Sequence, residues 1–345
     1  MKVMIVSSPH AFSTRDVYRA HLNGLKLVLG ENVVSYDVLS RLNIFHQFTV
    51  WMEEKIGSVP RGWAANVLAA EPVFGAAHWH EVDVIYIISP MYFPMSMVEM
   101  MRKDGFKVWA YFTECPYEDG TWARTQAAKF DVCFVNDWNS LTQYRMYNER
   151  TFYLPHCYDP TRHFPGRGPT RGHQHVSFVG SGFPERQKFL EQVDWSGIDL
   201  RLYGLWEDLK DESPLQPFVR RRLIDNEFSS RIYRGTSVAL SLHRTERYYG
   251  MGEMLDEGEA YSVGPRTYEL AACQAYQVSD YRPELEAIFG STVPVFRTPQ
   301  ELERLVRSAL EMGPNDLRAA AIAQREAVLP HTAESRMRQL LELAA

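Results

Sequence analysis

The sequence contains little cysteine and no excess of positive charge. Its 345 residues include only four cysteines, which are widely spaced and form no C-x-x-C pair: Cys115, Cys133, Cys157 and Cys273. This spacing excludes a disulfide framework and a cysteine zinc site, and it predicts reduced thiols that behave as small buried hydrophobes. The formal net charge of −6 argues against general binding of duplex nucleic acid.

Long apolar segments are also missing. Residues 1–6 form too short an apolar run for a signal peptide, and the longest such segment, residues 82–101, is interrupted by two prolines and two acidic residues. We therefore expect no membrane span and a cytoplasmic location. Hydrophobic residues make up 45% of the chain and aromatic residues 13%, which is enough for a core in each of two domains.

Short apolar runs alternate with helical patterns along most of the chain. Near-continuous apolar runs of this kind are typical of parallel strands covered on both faces. The clearest predicted strands are Val3–Val6, Val82–Ile88, Lys107–Phe112, Val132–Val135, Val176–Val179, Leu200–Tyr203 and Val238–Leu242. This alternation predicts an α/β protein with two Rossmann-like, doubly wound domains.

The predicted domains are separated by a segment rich in proline and glycine. Residues 158–175 lack periodicity and indicate a hinge. We predict an N-terminal domain over residues 1–160 and a C-terminal domain over residues 161–330. A capping box at Thr298 and Glu301 starts a helix, another helix runs to about residue 328, and residues 331–345 carry a terminal helix.

The most informative motif is Gly264-Pro-Arg-Thr-Tyr-Glu269. Gly264 suits an N-cap and the following proline suits the first helical position, so the motif predicts a helix start. A helix N-terminus attracts anions, and Arg266 makes a diphosphate a suitable guest, with Thr267 beside it. Glu269, one turn later, can accept from ribose hydroxyls. The alternative is an ordinary surface ion pair between Arg266 and Glu269.

A second predicted junction between strand and helix contains glycine. Gly180, Ser181 and Gly182 can bring backbone N–H groups close to a phosphate, and Arg186 can add a bidentate guanidinium. The position of the third glycine in a dinucleotide fingerprint is occupied by Glu185. A plain connection between strand and helix is therefore the alternative.

Two further strand ends contribute candidate donor ligands. Gly204 and Trp206 can border a base pocket, and His243 and Arg244 close the next strand. An indole packed on the sheet and a core histidine are the alternatives. Residues 245–263 contain several glycines and acidic residues, which makes them a candidate lid or a solvated insertion.

Other polar residues have less specific patterns. The basic run at residues 218–222 is interpreted as the solvated face of a helix. Several acidic or imidazole groups follow strands of the first half and can act as a general base: His10, Glu114, Asp119 and Asp137. His10 and Glu114 are our candidates for the catalytic base.

A set of motifs occurs in a familiar order from about Tyr153 to the C-terminus. The set comprises Tyr153-Leu-Pro-His-Cys-Tyr-Asp-Pro160, Phe178-Val-Gly-Ser-Gly-Phe-Pro-Glu-Arg186, Leu202-Tyr-Gly204, Arg266-Thr-Tyr-Glu-Leu-Ala-Ala-Cys273, Ser279-Asp-Tyr-Arg-Pro-Glu-Leu285 and His331-Thr332. It resembles the spore-maturation CgeB-like glycosyltransferases of the GT-B fold. Two features depart from that family: Gln274 stands where the family usually has glycine, and the 245–263 loop is longer.

The resemblance implies two Rossmann-like domains facing a cleft, with a C-terminal helix that returns to the first domain. It supports Glu269 as the ribose ligand and Arg186 and Arg266 as diphosphate contacts. The implied enzyme is a hexosyltransferase-like glycosyltransferase that uses a nucleotide-sugar donor, UDP-sugar above all, and has no permanently bound cofactor. The acceptor stays open among glycan, protein, small molecule and modified DNA base.

No D-x-D triplet occurs in the predicted catalytic cleft, so we expect catalysis without a metal ion, with arginines stabilising the leaving group. Three alternatives stay open at this point. They are a transferase acting on hydroxylated DNA bases, a non-catalytic protein that binds nucleotide sugar or glycan, and a nucleotide-sugar epimerase.

Overall fold

A computed structural model describes residues 1–7, 13–45, 63–90, 93–117, 121–166, 175–221, 224, 226–245 and 260–345. His10 and Asp119, part of the predicted hinge and most of the predicted lid at 245–263 lie outside these residues. The chain folds into two compact units. The first contains Met1–Pro155 and Ala333–Ala345, and the second contains the described residues between His156 and Thr332.

The first unit is built on a parallel six-stranded sheet in the order β2-β1-β3-β4-β5-β6. Its strands are β1 (Val3–Val6), β2 (Val33–Tyr36), β3 (Val84–Ile88), β4 (Lys107–Phe112), β5 (Val132–Val135) and β6 (Thr151–Tyr153). Its helices are α1 (Ser13–Leu29), α2 (Trp63–Ala70), α3 (Pro72–Trp79), α4 (Met95–Lys103), α5 (Thr121–Gln126), α6 (Leu141–Arg145) and α13 (Ala333–Ala344), and residues 38–45 are helical as well.

The second unit repeats this plan, with a parallel sheet in the order β12-β11-β10-β7-β8-β9. Its strands are β7 (Val176–Val179), β8 (Leu200–Tyr203), β9 (Val219–Arg221), β10 (Val238–Ser241), β11 (Gln277–Asp280) and β12 (Val295–Phe296). Its helices are α7 (Pro184–Leu190), α8 (Asn226–Gly235), α9 (Pro265–Ala272), α10 (Pro283–Phe289), α11 (Pro299–Glu311) and α12 (Pro314–Val328).

The predicted α/β class with two Rossmann-like sheets is confirmed, and each of the seven predicted strands is present with ends that differ by at most two residues. The interpretation of residues 218–222 as a helix face was wrong. Val219–Arg221 instead form the edge strand β9, which pairs with β8 at Leu202 and Tyr203. An edge strand needs only one hydrogen-bonded neighbour, so its sequence does not show the apolar run of a central strand.

The terminal helix α13 belongs to the first unit, where it packs along α1. Met337 and Leu340 of α13 are fully buried in a cluster with Leu25 of α1. A Cβ atom on Gly24 would lie 2.7 Å from the backbone carbon of Ala333, so the glycine permits close contact between the two helices. The C-terminal residues are therefore part of the N-terminal unit's core.

No helix in the described part of the chain is long and apolar enough to cross a bilayer. The cytoplasmic location stays a prediction.

Candidate functional site

The predicted donor-binding residues meet at one edge of the sheet in the second unit. They follow the carboxyl ends of β7, β8 and β10, which are neighbours in the sheet. In open α/β sheets, ligands bind at this edge because the strand ends leave loops and helix N-termini pointing to a common space. The sheet order therefore brings Gly180, Gly204, His243 and the start of α9 together.

Three guanidinium groups and two phenyl rings alternate at this edge. Arg186 Cζ lies 5.5 Å from the ring centroid of Phe178 and 4.9 Å from that of Phe183. Arg266 lies 4.8 Å from the Phe178 ring, and Arg244 lies 5.1 Å from the Phe183 ring. The order is thus Arg266, Phe178, Arg186, Phe183, Arg244, which we call the Arg–Phe stack. Cation–π contacts hold like charges together that would otherwise repel.

Arg186, the central member of the Arg–Phe stack, is only 6% exposed. Its Nη1 donates to the carbonyl oxygen of Ser181 at 3.0 Å, and its buried Nε has no acceptor among the described residues. Burial, and then the repulsion of Arg266, lower the pKa of Arg186 to about 9. The group therefore stays charged at neutral pH, in surroundings that favour the arrival of an anion.

The glycine turn after β7 has a different role from the predicted one. The N–H groups of Gly180 and Gly182 donate to the carbonyls of Tyr203 and Leu205, at 2.8 and 2.7 Å, and so cannot hold a phosphate. Within the described chain only the Ser181 N–H of this turn has no acceptor. Gly180 instead makes room for Arg266, whose Nη2 occupies the position that a Cβ atom would take.

Gly204, after β8, packs directly on this turn. Its φ is +118°, and a Cβ atom would lie 2.7 Å from the carbonyl carbon of Gly180. Only glycine combines this dihedral angle with such a close approach of two backbones. The position therefore joins the ends of β7 and β8 as a structural element, next to the Arg–Phe stack.

Trp206 is buried against the same turn. It is 5% exposed, its ring meets Phe178 edge-on at 5.9 Å between centroids, and a Cβ atom on Gly182 would collide with it. Its indole N–H finds no acceptor in the described residues. Trp206 also lines a cavity of about 540 Å³, together with Glu207 and Arg220. The indole is thus packed as the alternative expected, no member of the Arg–Phe stack lines this cavity, and the base pocket stays a prediction.

Helix α9 begins as the sequence predicts, with Gly264 as an extended N-cap and Pro265 at the first position. Arg266 Nη1 donates to the carbonyl oxygen of Leu242 at 2.9 Å, which ties the helix start to the end of β10. Thr267, however, is fully buried, and its hydroxyl contacts Ser241 Oγ at 2.9 Å and His243 Nε2 at 3.1 Å. The sequence analysis predicted a direct contact between Thr267 and the donor. Such a contact of the Thr267 side chain does not fit its burial.

His243 is held by Asp280, a residue at the end of β11 that the sequence analysis did not select. The Nδ1 of His243 lies 2.6 Å from Asp280 Oδ1, and its backbone N–H lies 3.1 Å from both carboxylate oxygens. Burial lowers the pKa of His243 although Asp280 opposes the shift, so the imidazole is neutral at pH 7. Arg282 adds a hydrogen bond of 2.7 Å to the carbonyl oxygen of Arg244.

Glu269 lies in a buried polar group on α9. The Oη of Tyr233 is 3.5 Å from its Oε2, and Nε2 of His163 is 3.9 Å from its Oε1. Burial raises the pKa of Glu269, while the guanidinium groups of Arg266 and Arg162 act in the opposite direction. The carboxyl group is thus desolvated, and among the described residues its single hydrogen bond is the long one from Tyr233, so it retains the capacity to accept from a ligand hydroxyl.

Of the two candidates for the catalytic base, the structure describes only Glu114. It is half-buried in the bend after β4 of the first unit. The side chain of Asn136 bonds both backbone groups of the adjacent Cys115, at 3.0 and 3.4 Å, and so fixes the end of β4 to the end of β5. The base role of His10 or Glu114 stays a prediction.

Sequence reasoning missed the residues that support the predicted ligands. Phe178, Phe183 and Asp280 are the most important of them. Asp280 was visible in the sequence as the polar last residue of a short strand, three residues before the proline that starts α10. The two phenylalanines stand in the 178–186 motif that carries the resemblance, but their local pattern does not distinguish them from ordinary apolar residues in or beside a strand.

Comparisons with known proteins agree with this geometry. Residues 186–342 match the family model described as glycosyl transferase-like. A sucrose-phosphate synthase from Thermosynechococcus elongatus has 12% identity and a TM-score of 0.64, with 99% of this chain and 98% of that chain covered. Anabaena HepE in complex with UDP has 12% identity and a TM-score of 0.61, with 99% of both chains covered.

An E. coli structure described as trehalose-6-phosphate bound with UDP-2-fluoro glucose also has 12% identity and a TM-score of 0.61. It covers 100% of this chain and 99% of that chain. No curated protein sequence matches. At these identities the structural likeness shows the fold, which is GT-B. Together with the family match, it makes the protein a glycosyltransferase of GT-B type.

Proposed function

We propose that this glycosyltransferase transfers a sugar from a nucleoside diphosphate donor, UDP-sugar above all, to an acceptor hydroxyl. The observation that carries the proposal is the Arg–Phe stack, which holds three guanidinium groups at the carboxyl edge of the sheet. Such a group of positive charges in a protein of net charge −6 favours a multiply charged anion. The ordered motifs named in the sequence analysis further support membership of the CgeB-like family, which is part of this proposal.

The diphosphate binds to Arg186, Arg244 and Arg266 in this proposal, with the Ser181 N–H and the N-terminus of α9 as further donors. Glu269 accepts from the ribose hydroxyls because its buried carboxyl group has, among the described residues, one long hydrogen bond from Tyr233 and a 3.9 Å contact with His163. Gly204 and Trp206 border the base. UDP and UDP-2-fluoro glucose in the related structures named above support a uridine donor.

Guanidinium groups also supply the chemistry of the leaving group. When the bond between sugar and phosphate breaks, negative charge develops on the departing diphosphate, and fixed positive charges stabilise it most where water is scarce. Arg186 is suited to this role because burial and Arg266 already disfavour its charge in the free protein. We propose that transfer therefore needs no metal ion, and that His10 or Glu114 accepts the proton of the acceptor.

The test is the affinity of the purified protein for UDP, GDP, ADP and CDP, measured by calorimetry with and without EDTA. We expect one of these nucleotides to bind, EDTA to leave its Kd unchanged, and Arg266→Ala to weaken binding about tenfold or more, since a charge-assisted hydrogen bond contributes about 1.5–3 kcal/mol. Arg201→Ala is the matched control, because Arg201 pairs with Asp199 near the start of β8. The proposal fails if none of the nucleotides binds the wild type, or if both variants bind equally.

A further inference from the structure

His243 and Thr267 form part of a continuous hydrogen-bonded chain that crosses three elements of the second unit. It runs from Asp280 at the end of β11, through His243 after β10, to Thr267 in the first turn of α9 and back to Ser241 at the end of β10. The successive distances are 2.6, 3.1 and 2.9 Å. Both ends of this chain of hydrogen bonds lie on strands, and its third member, Thr267, lies on the helix that carries Arg266.

The proton positions in this chain follow from its chemistry. A carboxylate only accepts, so Nδ1 of His243 carries the hydrogen that it donates to Asp280. Nε2 of the neutral ring is then an acceptor and receives the hydroxyl hydrogen of Thr267. The Thr267 oxygen in turn accepts from Ser241. Each hydroxyl therefore has one orientation, and the chain is fully satisfied and directional.

The chain fixes the position of the guanidinium groups rather than touching a ligand. Thr267 is fully buried, and the side chain of His243 is only 9% exposed. Arg266 directly precedes Thr267 and bonds the carbonyl of Leu242, the residue before His243. Two adjacent residues of α9 are thus linked to two adjacent residues of the β10 end. The Asp280 carboxylate at the end of β11 and the guanidinium of Arg282, the N-cap of α10, hold the backbone of His243 and Arg244.

We propose that Asp280, His243 and Thr267 are positioning residues that aim Arg266 and Arg244 at the diphosphate of the donor. This inference rests on the proposed function. It assigns to Asp280 a role in donor recognition. His243 and Thr267, which the sequence analysis predicted to contact the donor, instead hold the arginines that bind it. A positioning chain affects the phosphate part of the binding energy and leaves the nucleoside part unchanged.

The experiment compares the affinities of matched nucleotides. Calorimetry yields the Kd of the preferred nucleoside diphosphate and of the corresponding monophosphate. The ratio of the diphosphate Kd to the monophosphate Kd measures the contribution of the second phosphate. Thr267→Val keeps the shape of the side chain but removes its hydroxyl. We expect the diphosphate Kd to rise about tenfold, as expected for loss of a buried hydrogen bond, and the monophosphate Kd to change less than twofold. Thr267→Ser, which keeps the hydroxyl, should retain both affinities.

The matched control is Thr236→Val. Thr236 is buried in the same unit and its hydroxyl accepts from Ser177 Oγ at 2.7 Å, but it lies before the start of β10, at the opposite edge of the sheet. We expect this variant to lose thermal stability like Thr267→Val and to keep both Kd values. If Thr267→Val does not fold, Asp280→Asn takes its place with the same expected change in the ratio.

The outcomes separate two failures. If the wild type binds no nucleoside diphosphate, the proposed function is refuted and this inference with it. If the wild type binds but Thr267→Val keeps the ratio of Kd values, the proposed function stands and the positioning role is refuted. The role is also refuted if Thr236→Val raises the ratio of the diphosphate Kd to the monophosphate Kd as much as Thr267→Val does.

Discussion

The contact between Gly204 and Gly180 allows a quantitative test of how the donor edge is built. In Gly204→Ala, the added methyl group meets the backbone of Gly180, with its carbonyl carbon 2.7 Å away, at a φ of +118°. The dihedral strain costs about 1–3 kcal/mol, and overpacking costs about 1–3 kcal/mol more. The sum of about 2–6 kcal/mol corresponds to a fall in Tm of roughly 4–24 °C for a unit of this size.

Two other glycines of the second unit separate these contributions. Gly197 has a φ of +76° but no atom within 4 Å of an added Cβ, so Gly197→Ala incurs only dihedral strain of about 1–2 kcal/mol. Gly235 has neither a positive φ nor a neighbour within 4 Å, so Gly235→Ala should leave the stability unchanged or raise it slightly. We expect Gly235→Ala to have the highest Tm of the three variants, Gly197→Ala an intermediate Tm and Gly204→Ala the lowest.

Thermal unfolding followed by circular dichroism measures all three variants under one condition. Gly204→Ala should also weaken nucleotide binding, because the displaced Gly180 backbone lies against Arg266. A Tm for Gly204→Ala that is equal to or above that of Gly197→Ala would show that the ends of β7 and β8 are not in close backbone contact. The packing account of this edge would then be wrong.

Two further predictions concern helix α9. Burial raises the pKa of Glu269, so ionisation of this carboxyl group destabilises the fold as the pH rises above its pKa in the unfolded chain. Glu269→Gln should therefore unfold at a higher Tm than the wild type at pH 8, and the difference in Tm should be smaller at pH 4. The Kd of this variant for the nucleotide should rise about tenfold. Equal Tm differences at both pH values would contradict the desolvation argument. Gln274 follows Cys273, the C-cap of the helix, and adopts a φ of +58°. Gln274→Gly should stabilise the protein by about 1 kcal/mol in chemical denaturation. Ala275→Gly, at a buried position without a positive φ, should destabilise it.

The central strands were predictable because they are buried on both faces and appear as continuous apolar runs. The shorter strands were not, and β11 explains why. Its sequence, Gln277-Val-Ser-Asp280, looks polar, yet Gln277 and Ser279 are fully buried. Gln277 donates to the carbonyl oxygen of Thr267, and its backbone N–H bonds Gln324. These partners are 10 and 47 residues away, so local sequence patterns carry no information about them.

The positions of the arginines in the candidate site could be predicted from the sequence, but the directions of their neighbours' side chains could not. The alternation of strands and helices places Arg186 and Arg266 after β7 and β10, and the pairing of these two strands explains why the two arginines approach the same phenyl ring. That the Thr267 side chain points into the core could not be derived from its place beside Arg266 in the sequence. Successive residues of a helix point about 100° apart, so neighbours in the sequence can face a ligand and the core.

The glycine turn after β7 shows how a phosphate-binding pattern can arise for a different physical reason. Gly180 lacks a Cβ because Arg266 occupies that space, and Gly182 lacks one because the ring of Trp206 lies there. Two of the three N–H groups that a phosphate loop would offer are used to bind the end of β8. In this turn the small residues admit large cationic and aromatic side chains to the strand ends. In the proposed function, guanidinium groups therefore take the place of backbone amides as the principal anion donors. We therefore expect the affinity for a diphosphate to depend on how firmly the rings of Phe178 and Phe183 hold those long side chains.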